Sequence, residues 1–312
     1  MSDRIPPTSD LGFKKTFASE SNKDVLQGII GDFFDLRPEL DDITITAPYD
    51  IKAYEEYLKH VGDGSKETRE KLRQTVQDVT ADISIAGLGM EVQIKPDGYF
   101  TERSLHYACT RFCSNYSLPG KMVFRYDGVP IRYSSLKPVY ALNILGYPHF
   151  PGDDDALRVF TLYDRKRQKA FELEYLTLAY FELTKNNVET LNQHYWWTYF
   201  KTGDAPEGAP EYIKKAAYVI EKANMTKEER NVVDQMQRMQ DIYDSTIYTA
   251  QIEGEKIGEA RGEARGRIEG EARGKYEERF TIARKMLSRS RPMNEIAEDT
   301  GLTIDEIRKL LH

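Results

Sequence analysis

The run Val139-Tyr140-Ala141-Leu142-Asn143-Ile144-Leu145, closed by Gly146, is apolar on both of its alternating faces. A strand covered on one side alternates apolar with polar side chains, whereas a strand buried on both sides reads as nearly continuous. Such a strand needs a layer above and a layer below, so the chain should fold as a mixed α/β sandwich. The preceding segments supply candidates for those layers. Phe13, Phe17, Leu26, Ile29, Ile30 and Phe33 recur at helical spacing before the break at Pro38. Residues 41 to 50 alternate like a short strand, and residues 51 to 74, charged and helical in period, read as a surface insertion. From Val76 the period changes to two, through Val79, Ile83 and Ile85 to a glycine-rich turn at Ala86-Gly87-Leu88-Gly89 and then Met90 to Lys95, which predicts a hairpin. Thr101 to Tyr116 reads as a helix, closed by Ser117-Leu118-Pro119-Gly120. Two further β segments are expected at Val159 to Tyr163 and Phe171 to Leu176. Residues 178 to 250 read as helices, with the aromatic cluster His194 to Phe200 in the core.

Composition narrows the class of protein. The 312 residues can bury a sizeable core and are expected to form one large domain with a smaller appendage. No apolar stretch approaches the roughly 20 residues that span a bilayer, and the start MSDRIPPTSD lacks the character of a signal peptide, so a cytoplasmic protein with no membrane partner is expected. Cys109 and Cys113 have no second Cys or His pair nearby to complete a zinc site, and they read as reduced packing residues. A net charge of −7 offers no general attraction to nucleic acid, so any DNA contact must come from local basic patches.

The last part of the chain differs in kind. Gly254, Gly258, Gly262, Gly266, Gly270 and Gly274 fall at a strict spacing of four, filled by Glu, Ala and Arg. Each helical glycine costs about 0.5–1 kcal/mol relative to alanine, so six weaken an isolated helix by roughly 3–6 kcal/mol. Glycines four apart leave a groove without side chains where a second helix can approach, which predicts a stalk for self-association; a solvated linker is the competing reading. Beyond it, residues 296 to 307 suggest two short helices about Gly301, the second capped by Thr303 with Glu306 three residues on. This tail resembles half of a helix-turn-helix, although Asp305 and Glu306 open the would-be recognition helix where a DNA reader would carry Arg, Lys or Asn.

Chemistry concentrates in the hairpin. Glu91, Gln93 and Lys95 alternate, so they share one face while Met90, Val92 and Ile94 point to the other. With the turn centred near Gly87 and Leu88, Glu91 should lie almost opposite Ser84, with Asp82 as its diagonal neighbour. Carboxylates about 5–8 Å apart across a hairpin repel unless a cation intervenes. On the following helix, Arg103, Tyr107 and Arg111 repeat every four residues, a stripe suited to a DNA phosphate backbone or, alternatively, to pairing with neighbouring acids. His106 falls off that face and reads as packing.

The sequence ADISIAGLGMEVQIK, an Asp, a turn, then Glu-x-Gln, resembles the PD-(D/E)XK nuclease superfamily, and within it the Rpn-like recombination-promoting nuclease and transposase group. The opening residues 10 to 17 and 22 to 26, the helix from Phe100 to Tyr107, the strand after Ser135 and the glycine-rich tail are similar to that group in the same order, so the likeness spans nearly the whole chain outside 51 to 74. The resemblance implies a restriction-endonuclease-like α/β core with a helical C-terminal extension: a nuclease domain at 1 to 250, a stalk or linker at 251 to 280 and a small helical tail at 281 to 312. It implies a Mg²⁺- or Mn²⁺-dependent DNA endonuclease linked to recombination, mobile elements or phage defence. Asp82 and Glu91 would be the metal ligands, and Gln93 would stand in the usual lysine position and orient the attacking water. Lys95 would assist the leaving oxygen. Asp78 matches the group's longer spacing to the Glu and is the alternative first acid; the hairpin drawn above favours Asp82. A decayed nuclease fold that only binds DNA or a partner is the competing function.

Overall fold

The computed structural model describes residues 3–61, 78–114, 116, 125–126, 129–130, 133, 136–170 and 175–311. The expected loop at Ser117-Leu118-Pro119-Gly120 and most of the 51 to 74 insertion lie outside these residues. The chain divides into two compact units, residues 1–237 and 238–312.

The first unit begins with helices α1 (Asp10–Phe17) and α2 (Lys23–Phe34). Ser9 caps α1 by accepting from the Gly12 amide at 3.2 Å, with Asp10 in the first turn and Lys14 and Lys15 in the last, charges that oppose the helix dipole. Strand β1 (Thr44–Ile45), helix α3 (Ile51–Val61), strands β2 (Val79–Asp82) and β3 (Gly87–Gln93), and helix α4 (Phe100–Ser114) follow. After a small ladder of β4 (Arg125–Tyr126) and β5 (Val129–Pro130) come β6 (Val139–Leu145), β7 (Leu157–Phe160), a second small ladder of β8 (Tyr163–Asp164) and β9 (Lys169–Ala170), and β10 (Leu176–Glu182). Helices α5 (Leu191–Thr202) and α6 (Glu211–Val219) precede α7 (Lys227–Leu287).

Six strands form one sheet in the order β1-β2-β3-β6-β10-β7. The β3–β6 and β6–β10 pairs are parallel, the other pairs antiparallel. As its apolar run requires, β6 is central and covered on both sides. On one face Leu88, Met90, Leu142, Ile144, Ala179 and Phe181 join Phe13, Phe17, Leu26, Ile29 and Trp196 of the helices in the main core. On the other face α4 covers the sheet through Phe100 against Leu145 and Tyr180, and Ala108 against Val139 and Ala141. Trp196, Tyr199 and Phe200 are fully packed, as expected of the aromatic cluster.

Two expectations need correction. Leu176–Glu182 is a strand, where residues from 178 onward had read as helical; parallel pairing with β6 decides the matter over Leu, Ala and Glu, which are good helix formers. The hairpin turn lies earlier than Gly87. Asp82 pairs with Gly87, the turn is Ile83 to Ala86, and the Ile83 amide donates to the Ala86 carbonyl at 2.9 Å. Asp42 holds this turn in place by accepting from the Ser84 amide at 3.0 Å and the Ser84 hydroxyl at 2.7 Å. Gly87 is therefore a strand residue, glycine because the Arg111 side chain lies 3.0 Å from where a Cβ would stand.

A buried acid ties the helical layer together. The Asp32 side chain, 1% exposed, accepts hydrogen bonds from Trp196 Nε1 at 2.9 Å, the Tyr212 hydroxyl at 2.9 Å and Asn192 Nδ2 at 2.9 Å. Gly28 permits this approach of α2 to α6, since any Cβ there would fall 2.3 Å from the Tyr212 ring.

The division between units falls within α7. In the second unit α7 continues without a break through its six spaced glycines. Helices α8 (Met293–Thr300) and α9 (Ile304–Arg308) pack Ile296, Leu302 and Ile307 around Ala283. Gly301 adopts φ +67°, and Thr303 and Glu306 form the reciprocal capping box. Among the described residues no helix is long and apolar enough to cross a membrane.

Replacing Asp32 with Ala should lower unfolding free energy by roughly 3–5 kcal/mol in urea denaturation, because it takes the shared acceptor from buried Trp196 and half-buried Asn192 and Tyr212. A loss below about 1 kcal/mol would mean these hydrogen bonds do not hold the helical layer.

Candidate active site

Glu91 sits at the centre of β3, in register with Asn143 of β6, which is in turn level with Tyr180 of β10. These side chains make a polar row beneath α4. Ser104 of α4 donates to Asn143 Oδ1 at 3.1 Å, Asn143 Nδ2 donates to the Ala179 carbonyl at 3.1 Å, and the Tyr180 hydroxyl reaches Ser104 at 3.3 Å. The row fixes α4 over the strand, and one position earlier on the helix stands Arg103. Its NH2 nitrogen donates both to Glu91 Oε1 at 2.8 Å and to Gln93 Oε1 at 3.0 Å, while NH1 pairs with Asp97. Glu91 is 6% exposed, and its other oxygen, Oε2, is buried and makes no hydrogen bond among the described residues. Burial pushes the Glu91 carboxyl above its ordinary range, with Asp97 adding to the shift and the Arg103 charge opposing it.

The last aligned pair of the hairpin is Val79 with Met90, so the next pair outward brings Asp78 level with Glu91. The Val92 amide donates to Asp78 Oδ2 at 2.9 Å. Burial pushes the Asp78 carboxyl up to about 6, helped by the negative charges of Asp10 and Glu91 and opposed by the Val92 amide and Lys14. Asp10 enters from the first turn of α1, accepting from the Tyr54 hydroxyl at 2.6 Å and paired with Lys14 at 2.8 Å. Sequence reasoning missed Asp10 and Tyr54 as neighbours of the hairpin. The only signal was the place of Asp10 at the head of a helix. It also missed Tyr147, which is 7% exposed and whose hydroxyl lies against the Asp97 backbone. Burial raises that phenol's pKa, and the charges of Asp97, Arg103 and Glu91 all act on it.

The other expected residues are distributed differently. Asp82 lies at the opposite end of β2, where Arg111 NH2 reaches its Oδ1 at 2.9 Å and also bonds the Ala81 carbonyl. Gln93 ends β3 and is half-buried; Lys95 lies beyond it, exposed, and its carbonyl accepts from Gln93 Nε2 at 2.9 Å. Tyr107 is half-buried on α4 between the two arginines, and both guanidinium groups turn toward acids of the sheet and its adjoining loop. His106 is exposed, its ring 6.0 Å from that of Tyr107, so it does not serve as core packing. Cys109 is half-buried and Cys113 exposed, both free thiols.

What the arrangement offers a hard cation is the Glu91 carboxylate, with one buried oxygen that makes no hydrogen bond among the described residues, and the Asp78 carboxylate, near enough to feel the Glu91 charge. Among the described residues no group of three or more metal-binding side chains comes together. A Mg²⁺-type ion favours one or two carboxylates completed by water and phosphate oxygens, so the pair Asp78 and Glu91 fits such an ion.

Asp78 should leave a mark on stability. Its carboxyl is raised in the folded chain, so the stability it contributes is fully present below its unfolded pKa and is lost as the pH rises from about 4 through about 6. Asp78→Asn should abolish that loss and stabilise the protein at pH 8 by up to ~3 kcal/mol, while changing little at pH 4. Thermal unfolding of both proteins across this range tests it. Parallel pH profiles would show that Asp78 carries no such burden.

A family model described as a PD-(D/E)XK nuclease family transposase matches residues 7–250. Neither the curated proteins nor the solved structures contain a match. The six-stranded mixed sheet sandwiched between helices agrees with the family, and the matched span covers most of the chain. The chain belongs to the PD-(D/E)XK nuclease family transposases.

Proposed function

We propose that this protein is a divalent-metal-dependent DNA endonuclease, Mg²⁺ or Mn²⁺ being the metal, acting in recombination, on mobile elements or in phage defence. The observation that carries the reading is Glu91 beneath α4, 6% exposed and with Oε2 making no hydrogen bond among the described residues, while the register sets Asp78 one step beyond the Val79–Met90 pair. Asp78 and Glu91 would hold the metal. When bound, a divalent cation lowers the pKa of an attached water and neutralises charge at the phosphate. Glutamine has no useful pKa, so Gln93 would orient the attacking water through its amide rather than take its proton. Lys95, exposed beyond the strand end, would meet charge on the leaving 3′ oxygen. Arg103, Tyr107 and Arg111 lie along the helix that would face the DNA backbone, and the glycine-spaced part of α7 would bring two copies together to cut both strands.

The structure-based register shifts the first acid from Asp82 to Asp78 in this reading, since Asp82 is bound by Arg111 at the other end of its strand. Conversion of supercoiled plasmid to nicked or linear forms should require Mg²⁺ or Mn²⁺ and should vanish in Glu91→Ala. Asp78→Asn should lose at least about 100-fold, and Asp82→Asn at most about tenfold, as befits a metal ligand against a helix anchor. The reverse ranking would return Asp82 to the metal. Metal-independent cutting would remove the metal from the reading, equal cutting by Glu91→Ala would remove this site from it, and no cutting under any condition would leave a fold that only binds.

The stalk makes its own prediction. At each of the six glycines a Cβ would meet nothing within 4 Å, and Ile257 and Ile268 are exposed on the same helix. Light scattering should find the full chain dimeric or larger and a chain ending at Thr249 monomeric. A monomer at tens of micromolar for the full chain would reduce the segment to a linker.

A further inference from the structure

Arg103 holds Glu91 and Gln93 through a single nitrogen, 2.8 Å from one oxygen and 3.0 Å from the other. That nitrogen occupies the space between the two motif side chains where the proposed chemistry would need a cation and its water. A divalent ion bound to Glu91 and a guanidinium bonded to the same carboxylate would lie within a few ångströms, where like charges in a partly buried setting repel strongly. Arg103 has somewhere else to go. Its side chain is 27% exposed, its NH1 has a second anchor in Asp97, and its guanidinium carbon sits 5.2 Å over the Phe100 ring. Its Nε, by contrast, is buried without a partner, so the present seat is incompletely satisfied. Arg111 shares such an Nε but is held more firmly: its side chain is 13% exposed and is tied to both a carboxylate and a backbone carbonyl.

We propose that Arg103 is an exchangeable counter-cation of the site, seated on Glu91 and Gln93 in the metal-free protein and transferred to a DNA phosphate when Glu91 takes a divalent ion. This rests on the metal-site reading above. Without metal the guanidinium prevents an uncompensated buried carboxylate, which would otherwise be costly. With metal that duty passes to the ion, and Arg103 becomes available to bond phosphate as a charge-assisted donor. The exchange makes metal and DNA bind cooperatively through one side chain, and linkage requires the effect to be reciprocal.

Calorimetric titration of the full chain with Ca²⁺ at pH 8, with and without a short DNA duplex, tests the exchange apart from any cutting. In the wild type the duplex should tighten Ca²⁺ binding by about tenfold, within the usual range of coupling between sites. R103Q should bind Ca²⁺ about tenfold more tightly than the wild type without DNA, and the duplex should add no further gain. R103K, which keeps the charge but not the bridge, should fall between them, and it serves if R103Q fails to fold. If E91Q has lost Ca²⁺ binding while R103Q and R103K bind no more tightly than the wild type, the exchange is wrong and the metal site stands. If E91Q binds Ca²⁺ like the wild type, the metal-site reading fails instead.

Discussion

Pairing β3 antiparallel to β2 on one side and parallel to β6 on the other commits every side chain of the hairpin to one of two faces. A strand has a period of two, so a shift of one residue would exchange those faces entirely. Leu88, Met90 and Val92 go to the main core, and Gly89, Glu91 and Gln93 go beneath α4. The Asp42 contacts with Ser84 pin the turn, and the turn decides which acid of β2 stands level with Glu91. Everything asked of this site, from the charge on Asp78 to the reach of Arg103, follows from that one register.

The site is not arranged for stability. The Asp78 carboxylate feels the charges of both Asp10 and Glu91, and burial is the largest cause of the resistance of Asp78 and Glu91 to ionisation. Asp32 shows what a buried carboxylate looks like when its only task is to hold the fold, with three donors within 2.9 Å. Glu91 has one oxygen bonded and one bare. A buried acid left so incompletely bonded is what the proposed metal-binding role would require.

Much of this was legible in the chain. The apolar run at Val139 to Leu145 announces a doubly covered strand, the alternation through Met90 to Gln93 announces the partner hairpin, and Thr303 with Glu306 announces a helix start. The resemblance to the nuclease family followed from the order of these pieces, and the family match agrees. Two things were hidden, for identifiable reasons. Leu176 to Glu182 is built of residues at ease in either state, and its parallel neighbour is distant in sequence. The turn was misplaced because Gly87 looked like a turn residue, whereas its lack of a side chain makes room for Arg111 from a helix more than twenty residues later. Asp78 was visible only as an alternative, Asp10 only by its place at the head of a helix, and Tyr54 and Tyr147 carried no signal beyond their types. What sequence periodicity reports is a residue's own element; what joins the site is contact between elements.

The six glycines of α7 lead somewhere else. In the folded chain a methyl group would fit at every one of them, and alanine would make the helix stronger at each step. The stalk therefore stands below the best that its own single helix could achieve, six times over and at one interval. Nothing inside the molecule explains a regularity of that kind. A chain selected only to fold would have no use for it, whereas a helix proposed to lie against a second one would lose its close approach with the first methyl group added.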